Sequence, residues 1–368
     1  MSALLVLKDV FTEHGFSFEQ TTTGFEVPCR SASLAEEYQR LRQGIAFTEL
    51  GDVLVYHVTG ENASDYLDYI AAGDVIRLRE EHILHTVCLN AEGMVIAEVY
   101  IANDEDDYFL FAEGMEAGAF DQFLKENLRD SAVQLTCLNG SHLLFSVDGP
   151  YSWMPIKTVF GPETLGLRYL GFFTQQRDEE KVYIFRSGKT GEYGYWILAP
   201  NETGRKCFEE VMKASAGIDR PSGLYGDRLT KLARLENHFL NLDAEGKYTR
   251  NPYELGLFWM IQNEKEMVAR DVVEQLIERG MERSITGFVI GGEGRVSVGD
   301  AVMFRDRQVG VVVITDRSLT DNRDIGLALL DKDASYVGLT FHVGDDRIPI
   351  NTVSLPFVNN ESLTVKVE

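Results

Sequence analysis

The sequence is poor in cysteine and in positive charge for its length of 368 residues. Its cysteines lie far apart and form no Cys-x-x-Cys pair, which argues against a disulfide framework and against a thiolate metal site. This usage favours a reducing compartment. Asp and Glu number 58 against 35 for Lys and Arg, so the net charge is −23. Such a field repels phosphate backbones and anionic lipids, and we expect neither nucleic acid nor a membrane as a partner.

Long hydrophobic runs are also missing. No stretch approaches the ~18 apolar residues that a membrane-spanning helix requires, and the apolar run in residues 1–8 is too short for a signal peptide. Hydrophobic residues nevertheless make up 44% of the chain, which is enough for sizeable buried cores. We therefore expect a soluble, cytoplasmic protein with about two or three domains.

The hydrophobic pattern predicts mixed helices and strands in roughly the first 270 residues. Ser33 followed by Glu36 is typical of a capping box, and Gly44 of a glycine that ends a helix, so a helix is predicted over 33–43. Because helices and strands do not alternate regularly, the expected fold class is α+β. The elements that matter most below are strands predicted at 83–89, 94–102 and 108–112, and a helix predicted over 223–235.

The pattern changes near Arg283, where short β segments follow one another with glycine turns between them. Such spacing indicates a small antiparallel barrel or sandwich. We place a domain boundary between Glu274 and Arg283. The predicted strands are 286–290, 301–304, 308–315, 325–329 and 339–342.

Two short motifs suggest chemistry that their context does not support. Residues 187–190 (Ser-Gly-Lys-Thr) resemble the end of a phosphate-binding loop, but the glycine required five residues before Gly188 is Tyr183, so a turn between strands is predicted. His82 and His85 are three residues apart, which places them on opposite faces of a strand. We expect solvated or core-edge histidines and no metal site. A Gly-x-Ser-x-Gly elbow is missing, so a hydrolase triad has no support.

Four blocks of sequence, in order over most of the chain, resemble the folate-binding aminomethyltransferase family. That family includes the T-protein of glycine cleavage and tetrahydrofolate-dependent demethylases such as dimethylsulfoniopropionate demethylase. The first block is similar to Asn-x-x-Gly-Gly-hydrophobic-hydrophobic-Asp-Asp, the second to Arg-x-Gly-Tyr-Thr-Gly-Glu-x-Gly, and the third to Arg-Leu-Glu-Ala-Gly followed by Pro-x-Glu-x-Gly-Leu-x-Trp. The four blocks occupy residues 90–98, 186–194, 234–259 and 308–357.

The resemblance implies a three-domain cloverleaf around a central hole that binds tetrahydrofolate. Domain 1, which binds the folate, is then expected to be discontinuous and to comprise residues 1–50 and 136–275. An α+β domain 2 is expected over 51–135, and an antiparallel β-barrel-like domain over 283–368.

Three residues fall on positions that the family uses for folate. Glu192 matches a carboxylate that accepts hydrogen bonds from the donor edge of the pterin, with a solvated turn carboxylate as the alternative. Arg234 matches the family's folate-contacting arginine, with an ion pair to Glu236 or another local acid as the alternative. Trp259 offers an aromatic wall, or alternatively a buried core residue.

One departure concerns the catalytic aspartate that the family carries as the first residue of its Asp-Asp pair. Ungapped alignment places Ala97 there and Glu98 at the second position, and strand alternation should point Glu98 to the opposite face. Glu98 is therefore a weak catalytic candidate, and no catalytic residue is assigned. Residues 48–51 also depart from the family pattern, which suggests a changed substrate.

These features lead us to expect a tetrahydrofolate-dependent transferase that moves a methyl group from a small methylated donor to N5 of tetrahydrofolate. A sulfonium donor would need no general acid, so loss of a carboxylate at Ala97 is tolerable in such a demethylase. The first alternative is a glycine-cleavage aminomethyltransferase acting on a lipoyl-carrier protein, although a charge of −23 opposes an acidic carrier. The second alternative is a non-enzymatic folate-binding protein.

Overall fold

The computed structural model describes residues 5–105, 107–129 and 132–367. Within these ranges the chain forms eight α-helices. They are α1 (Lys8–Glu13), α2 (Leu34–Gln43), α3 (Ala63–Ile70), α4 (Ala117–Glu126), α5 (Trp153–Phe160), α6 (Asn201–Ala216), α7 (Asp227–Asn237) and α8 (Arg270–Arg279).

The same ranges contain nineteen β-strands. They are β1 (Ser17–Gln20), β2 (Glu26–Arg30), β3 (Ile45–Glu49), β4 (Leu54–Thr59), β5 (Ile83–Leu89), β6 (Val95–Asp104), β7 (Asp107–Glu113), β8 (Gln134–Cys137), β9 (His142–Asp148), β10 (Phe172–Arg177), β11 (Glu180–Phe185), β12 (Gly194–Pro200), β13 (Ser222–Leu224), β14 (Arg283–Ile290), β15 (Ala301–Phe304), β16 (Arg307–Arg317), β17 (Asp324–Asp331), β18 (Thr340–Val343) and β19 (Ile348–Val353).

These strands form three main sheets and one hairpin, β1–β2. The first sheet has six strands in the order β10-β11-β12-β9-β3-β13, and the second has five in the order β5-β6-β7-β4-β8. The third closes into a barrel, β14-β17-β16-β15-β18-β19, in which every pair is antiparallel. The predicted fold, α+β with a C-terminal antiparallel barrel in a three-domain cloverleaf, is confirmed.

The domain limits named above stay a prediction, but the sheets divide the chain close to them. Strand β8 belongs to the five-stranded sheet, so that sheet extends to Cys137, just past the expected limit at 135. At the other boundary, α8 ends at Arg279 and β14 begins at Arg283. The change in the sequence to short β segments with glycine turns therefore coincides with the start of the barrel.

Two helices show how local sequence set the element ends. Ser33 caps α2, because its hydroxyl accepts a hydrogen bond from the Glu36 amide at 3.3 Å. The helix predicted over 223–235 is wrong at its start. Gly223 has φ +151°, which no helix accommodates, and it lies in β13, a short strand parallel to β3; the helix begins only at Asp227.

An aromatic cluster packs the five-stranded sheet against the six-stranded sheet. Tyr100 and Phe111 of the first contact Trp196 and Phe185 of the second, with ring centroids 5.0–5.9 Å apart. This cluster fixes one sheet relative to the other and thereby brings side chains of both to a common centre. No helix in the described part of the chain is long and apolar enough to cross a membrane.

Candidate functional site

The two faces of β6 carry different side chains at Ala97 and Glu98. Ala97 is buried in the apolar cluster between the five-stranded sheet and helices α3 and α4. Glu98 lies on the opposite face and lines the two central cavities described below. The two side chains therefore point to opposite faces, as strand alternation predicts: Ala97 packs in the apolar cluster, and the carboxylate that faces the centre of the molecule is Glu98.

A β-bulge precedes this pair on β6 and decides which of the two side chains faces the centre. Leu89 of β5 lies opposite Val95, and the preceding β5 residue lies opposite Ala97, so Ile96 is an extra residue on β6. Strict alternation from Val95 would have put Ala97 on the same face as Val95. The extra residue reverses the two faces beyond it, and Glu98 takes the face of Val95 instead.

Four charged side chains meet at the centre, and we call them the central charge cluster: Glu98, Glu113, Lys189 and Arg234. The Lys189 ammonium lies 2.8 Å from Oε2 of Glu98 and 2.9 Å from Oε2 of Glu113. Arg234 donates to the same Glu113 oxygen at 2.7 Å. None of the four side chains is more than 15% exposed. Two buried anions thus face two buried cations, and the cluster is neutral.

His85 completes the surroundings of Glu98. Its Nε2 lies 2.6 Å from Oε1 of Glu98, on the carboxylate oxygen that Lys189 does not contact. The imidazole stacks on the Tyr100 ring with centroids 4.1 Å apart, which fixes its orientation. Since a carboxylate offers about four lone-pair sites, Glu98 keeps acceptor capacity toward the cavity.

Burial and opposite charge act in opposite directions on the two carboxylates. Burial would raise the pKa of Glu98, but Lys189 and the hydrogen bond with His85 outweigh it and hold that pKa below its ordinary value. For Glu113, burial is likewise outweighed by Arg234 and Lys189, and its pKa is lowered. Both carboxylates are therefore ionised at neutral pH.

Two neighbouring carboxyl groups behave in the opposite way. Burial raises the pKa of Asp52 to about 7, and the Glu113 charge adds to the effect. Burial also raises the pKa of Glu245 to about 7, although its carboxylate accepts a hydrogen bond from the Asn241 amide. Both groups border the central cavities and can exchange protons near neutral pH.

The larger central cavity has a volume of about 700 Å³, which suits a small organic ligand. Glu98 is one of its charged lining residues, and His85, Tyr169 and Trp259 supply aromatic walls. Trp259 is 63% exposed and meets the His85 ring edge-on, with centroids 5.8 Å apart. Trp259 is thus a cavity wall and not a buried core residue, while its contact with folate stays a prediction.

Two further cavities continue from the central charge cluster. A cavity of about 40 Å³ shares Glu98 and Leu240 with the larger one and is also lined by Glu113 and Arg234. It shares Leu242 with a third cavity of about 410 Å³, which is more open to solvent. The cluster therefore lies between two openings of the molecule.

Glu192 lies away from these cavities, in a second buried cluster. Its carboxylate contacts Nη1 of Arg42 at 3.1 Å and accepts hydrogen bonds from the Ser362 amide and hydroxyl at 2.9 and 2.6 Å. Arg42 also pairs with Glu236 at 2.6 Å. We call Arg42, Glu192, Glu236 and Ser362 the C-terminal clasp, because they hold residues near 362 against the six-stranded sheet.

The structure therefore separates the residues that the sequence grouped together. Glu98, Arg234 and Trp259 border the central cavities, whereas Glu192 is fully engaged within the protein. The ion-pair alternative for Arg234 holds, but its partner is Glu113 and not Glu236. A folate contact by Glu192 stays a prediction that its observed contacts do not favour.

Sequence reasoning missed three members of the site: His85, Glu113 and Lys189. Residues 187–190 do form a turn between β11 and β12, as predicted, but Lys189 in that turn is buried and charged. A charged residue inside an apolar strand, as at Glu98 and Glu113, was the available signal. In the described part of the chain, no group of three or more acidic, histidine or cysteine side chains could hold a metal ion.

The geometry can be compared with known proteins. The GCVT N-terminal domain family matches residues 7–265. The chain belongs to this family. The aminomethyltransferase of Thermotoga neapolitana is 24% identical over 313 residues, which cover 84% of this chain and 85% of that protein. The aminomethyltransferase of a Picosynechococcus species is 25% identical over 343 residues, covering 91% and 92%.

A solved structure shows the same fold. The glycine cleavage system aminomethyltransferase T of Bartonella henselae superposes with a TM-score of 0.86 over 97% of this chain and 98% of that chain, at 19% identity. The predicted family is thereby confirmed. So is the predicted cosubstrate at the level of the family, because its aminomethyltransferases bind tetrahydrofolate.

The central residues fit a folate. The large cavity has the volume of a cofactor site, aromatic walls and a carboxylate acceptor in its lining. Within the described chain, Nε of Arg234 is buried without a hydrogen-bond partner, and Arg234 lines the small cavity, which fits a residue that contacts a polar ligand.

Proposed function

We propose that this protein is a tetrahydrofolate-dependent aminomethyltransferase that takes a one-carbon unit from an aminomethylated lipoyl carrier. The observation that carries the proposal is Glu98, an ionised, nearly buried carboxylate that lines the large cavity. The relatives named aminomethyltransferase support the same reaction.

The carboxylate of Glu98 at the centre of the molecule changes our ranking of the two activities. Methyl transfer from a small donor was favoured because alignment left an alanine in place of the reacting carboxylate. Since a carboxylate is present at the centre, that reason no longer applies. Demethylation of a small methylated donor becomes the second candidate, supported by the changed residues 48–51 and by the net charge of −23, which opposes an acidic carrier.

The proposed reaction balances without an external oxidant or reductant. The carbon–sulfur and carbon–nitrogen bonds of the aminomethyl group break, its carbon becomes the methylene bridge of 5,10-methylene-tetrahydrofolate, ammonia leaves and the carrier retains a thiol. The two hydrogens lost from the folate nitrogens go to the thiol and to ammonia. Bound tetrahydrofolate supplies the nucleophilic nitrogens.

Within this reaction the chain supplies position and charge. Glu98 is fixed through both oxygens, so its negative charge is preorganised to stabilise the positive charge that develops on the aminomethyl group as the sulfur departs. Trp259, Tyr169 and Leu257 would hold flat, apolar parts of the folate, and Arg234 would contact a polar part. A role for Glu192 in folate binding rests only on the resemblance.

The lipoyl carrier is the proposed partner. The charges around the third cavity oppose its binding less than the net charge of the whole chain suggests. The third cavity is bordered by Lys247 and Arg250 as well as by Glu116 and Asp243, so this opening is close to neutral in a chain of charge −23.

All four cysteines are free. A cytoplasmic location is proposed on that usage.

The test is to supply the protein with tetrahydrofolate and either an aminomethylated lipoyl carrier or methylated sulfonium and ammonium donors, and to separate the folate products. We expect 5,10-methylene-tetrahydrofolate from the carrier and no 5-methyl-tetrahydrofolate. Formation of 5-methyl-tetrahydrofolate from a small donor, with no product from the carrier, would overturn the proposal in favour of the demethylase.

A further inference from the structure

The two carboxylates of the central charge cluster occupy an unfavourable arrangement on the five-stranded sheet. Glu98 of β6 and Glu113 of β7 are direct cross-strand partners and point to the same face. Like charges directly opposite one another destabilise a sheet. Here both side chains are also buried, at 3% and 10% exposure, so water screens the repulsion poorly.

Lys189 bridges this pair from the other sheet. It lies in the turn between β11 and β12, and its ammonium is within 2.9 Å of one oxygen of each carboxylate. The side chain is 4% exposed and passes over the Tyr100 ring at 4.9 Å from the centroid. Arg234 contacts Glu113 and the Leu240 carbonyl, so among the described residues Lys189 is the cation within hydrogen-bond distance of both carboxylates.

On the basis of the proposed function, we propose that Lys189 is a positioning residue. By bridging Glu98 and Glu113 it keeps Glu98 ionised and directed into the large cavity. The motif that residues 186–194 resemble carries tyrosine at this position, and a neutral phenol cannot balance two opposed carboxylates. The charge balance at the centre of this chain therefore depends on a residue that the motif does not supply.

Other charged groups around Glu98 determine how the stability of a variant without Lys189 depends on pH. Without Lys189, two negative charges would face Arg234 and His85, and the folded protein would take up a proton on Glu98 or Glu113. Each of these sites gives the same sign of pH dependence. The ionisable groups that face the pair from the surrounding elements are Tyr100, His85, Arg234, Asp52, Tyr169 and Glu245.

The first test is thermal unfolding of the full chain against pH, which needs no substrate. In the wild type, the lowered pKa values of Glu98 and Glu113 stabilise the fold above the ordinary Glu pKa of 4.5. In Lys189→Met the folded state binds a proton more tightly than the unfolded chain, so stability is lost as pH rises. We expect its deficit in Tm to grow by several degrees between about pH 5.5 and about pH 8.5.

Three further variants keep the result interpretable. Lys189→Arg restores the cation and should behave as the wild type. The double variant Lys189→Met/Glu113→Gln removes the repulsion, so it should fold even where the single variant does not, with a deficit that does not depend on pH. Lys125→Met removes an exposed lysine paired with Asp121 and should leave Tm unchanged at every pH.

The second test is the pH profile of one-carbon transfer. We expect Lys189→Met to lower kcat at least tenfold and to move the acidic limb of the profile to higher pH, with rescue by Lys189→Arg. A pH-independent Tm deficit in Lys189→Met, or a deficit shared by Lys189→Arg, would overturn the proposal. Absence of aminomethyl transfer by the wild type would overturn the proposed function instead, because the Tm series decides the role of Lys189 separately.

Discussion

The central charge cluster and the C-terminal clasp are two buried ion-pair clusters with different access to ligands. In the clasp, Glu192 has its oxygens taken by Arg42 and by the Ser362 amide and hydroxyl, and it borders none of the cavities described above. In the central cluster, Glu98 has partners on both oxygens but still lines two cavities. The first arrangement anchors a chain segment, and the second can act on a ligand.

This difference shows the limit of assigning function by motif. Glu192 and Arg234 both fall in matched blocks, yet only Arg234 borders a cavity. A motif match gives residue types and spacing along the chain. Whether a carboxylate is available to a ligand depends on which segments pack against it, and for Glu192 the segment is more than 160 residues away, at Ser362.

The largest expected effect is a loss of stability when the C-terminal clasp is disrupted. Arg42→Met leaves Glu192 and Glu236 buried without their cation, and removal of one partner from a buried ion pair costs about 3–5 kcal/mol of unfolding free energy. Denaturant unfolding measures this loss. Turnover measured well below the midpoint should stay near the wild-type value.

The control for Arg42→Met is Arg307→Met on the barrel, where the guanidinium pairs with Asp331 and Asp333 in solvent. Exposed pairs contribute about 0–1 kcal/mol, so this variant should unfold close to the wild type. Equal destabilisation by the two substitutions would contradict the description of the clasp.

A smaller effect is expected on tetrahydrofolate affinity when a wall of the large central cavity is removed. Trp259→Ala removes an aromatic wall, and we expect tetrahydrofolate affinity to fall by about 1–2 kcal/mol, or about fivefold to thirtyfold. Calorimetric titration measures it. Phe258→Ala is a matched control, because Phe258 is equally exposed, 62% against 63%, but lies outside the cavity lining in the described chain. Equal losses in both variants would show that Trp259 is not a cavity contact.

Much of the fold was predictable because it depends on local patterns. The strand at Ile83–Leu89 was predicted with its observed bounds, the cap at Ser33 was recognised, and the short β segments after Arg283 form the predicted barrel. Each depends on alternation, capping or turn chemistry within a few residues. The family blocks then supplied the global arrangement, which local patterns do not contain.

The site was less predictable because it depends on one inserted residue and on long-range packing. The extra residue at Ile96 reverses the faces of β6, and no sequence signal marked it. Lys189 reaches Glu98 across 91 positions of sequence, from a different sheet. Single-sequence reasoning identified the turn that carries Lys189 but not the carboxylates that it meets.

The central claim is that one-carbon transfer depends on the carboxylate of Glu98 and not on that of Glu192, which the family resemblance assigns to folate binding. The most direct measurement is kcat/KM for 5,10-methylene-tetrahydrofolate formation from an aminomethylated lipoyl carrier, together with Tm, for Glu98→Gln and Glu192→Gln side by side. We predict a loss of about 100- to 1,000-fold for Glu98→Gln and a lowered Tm with nearly unchanged kcat/KM for Glu192→Gln. Retained turnover in Glu98→Gln with lost turnover in Glu192→Gln would contradict the account.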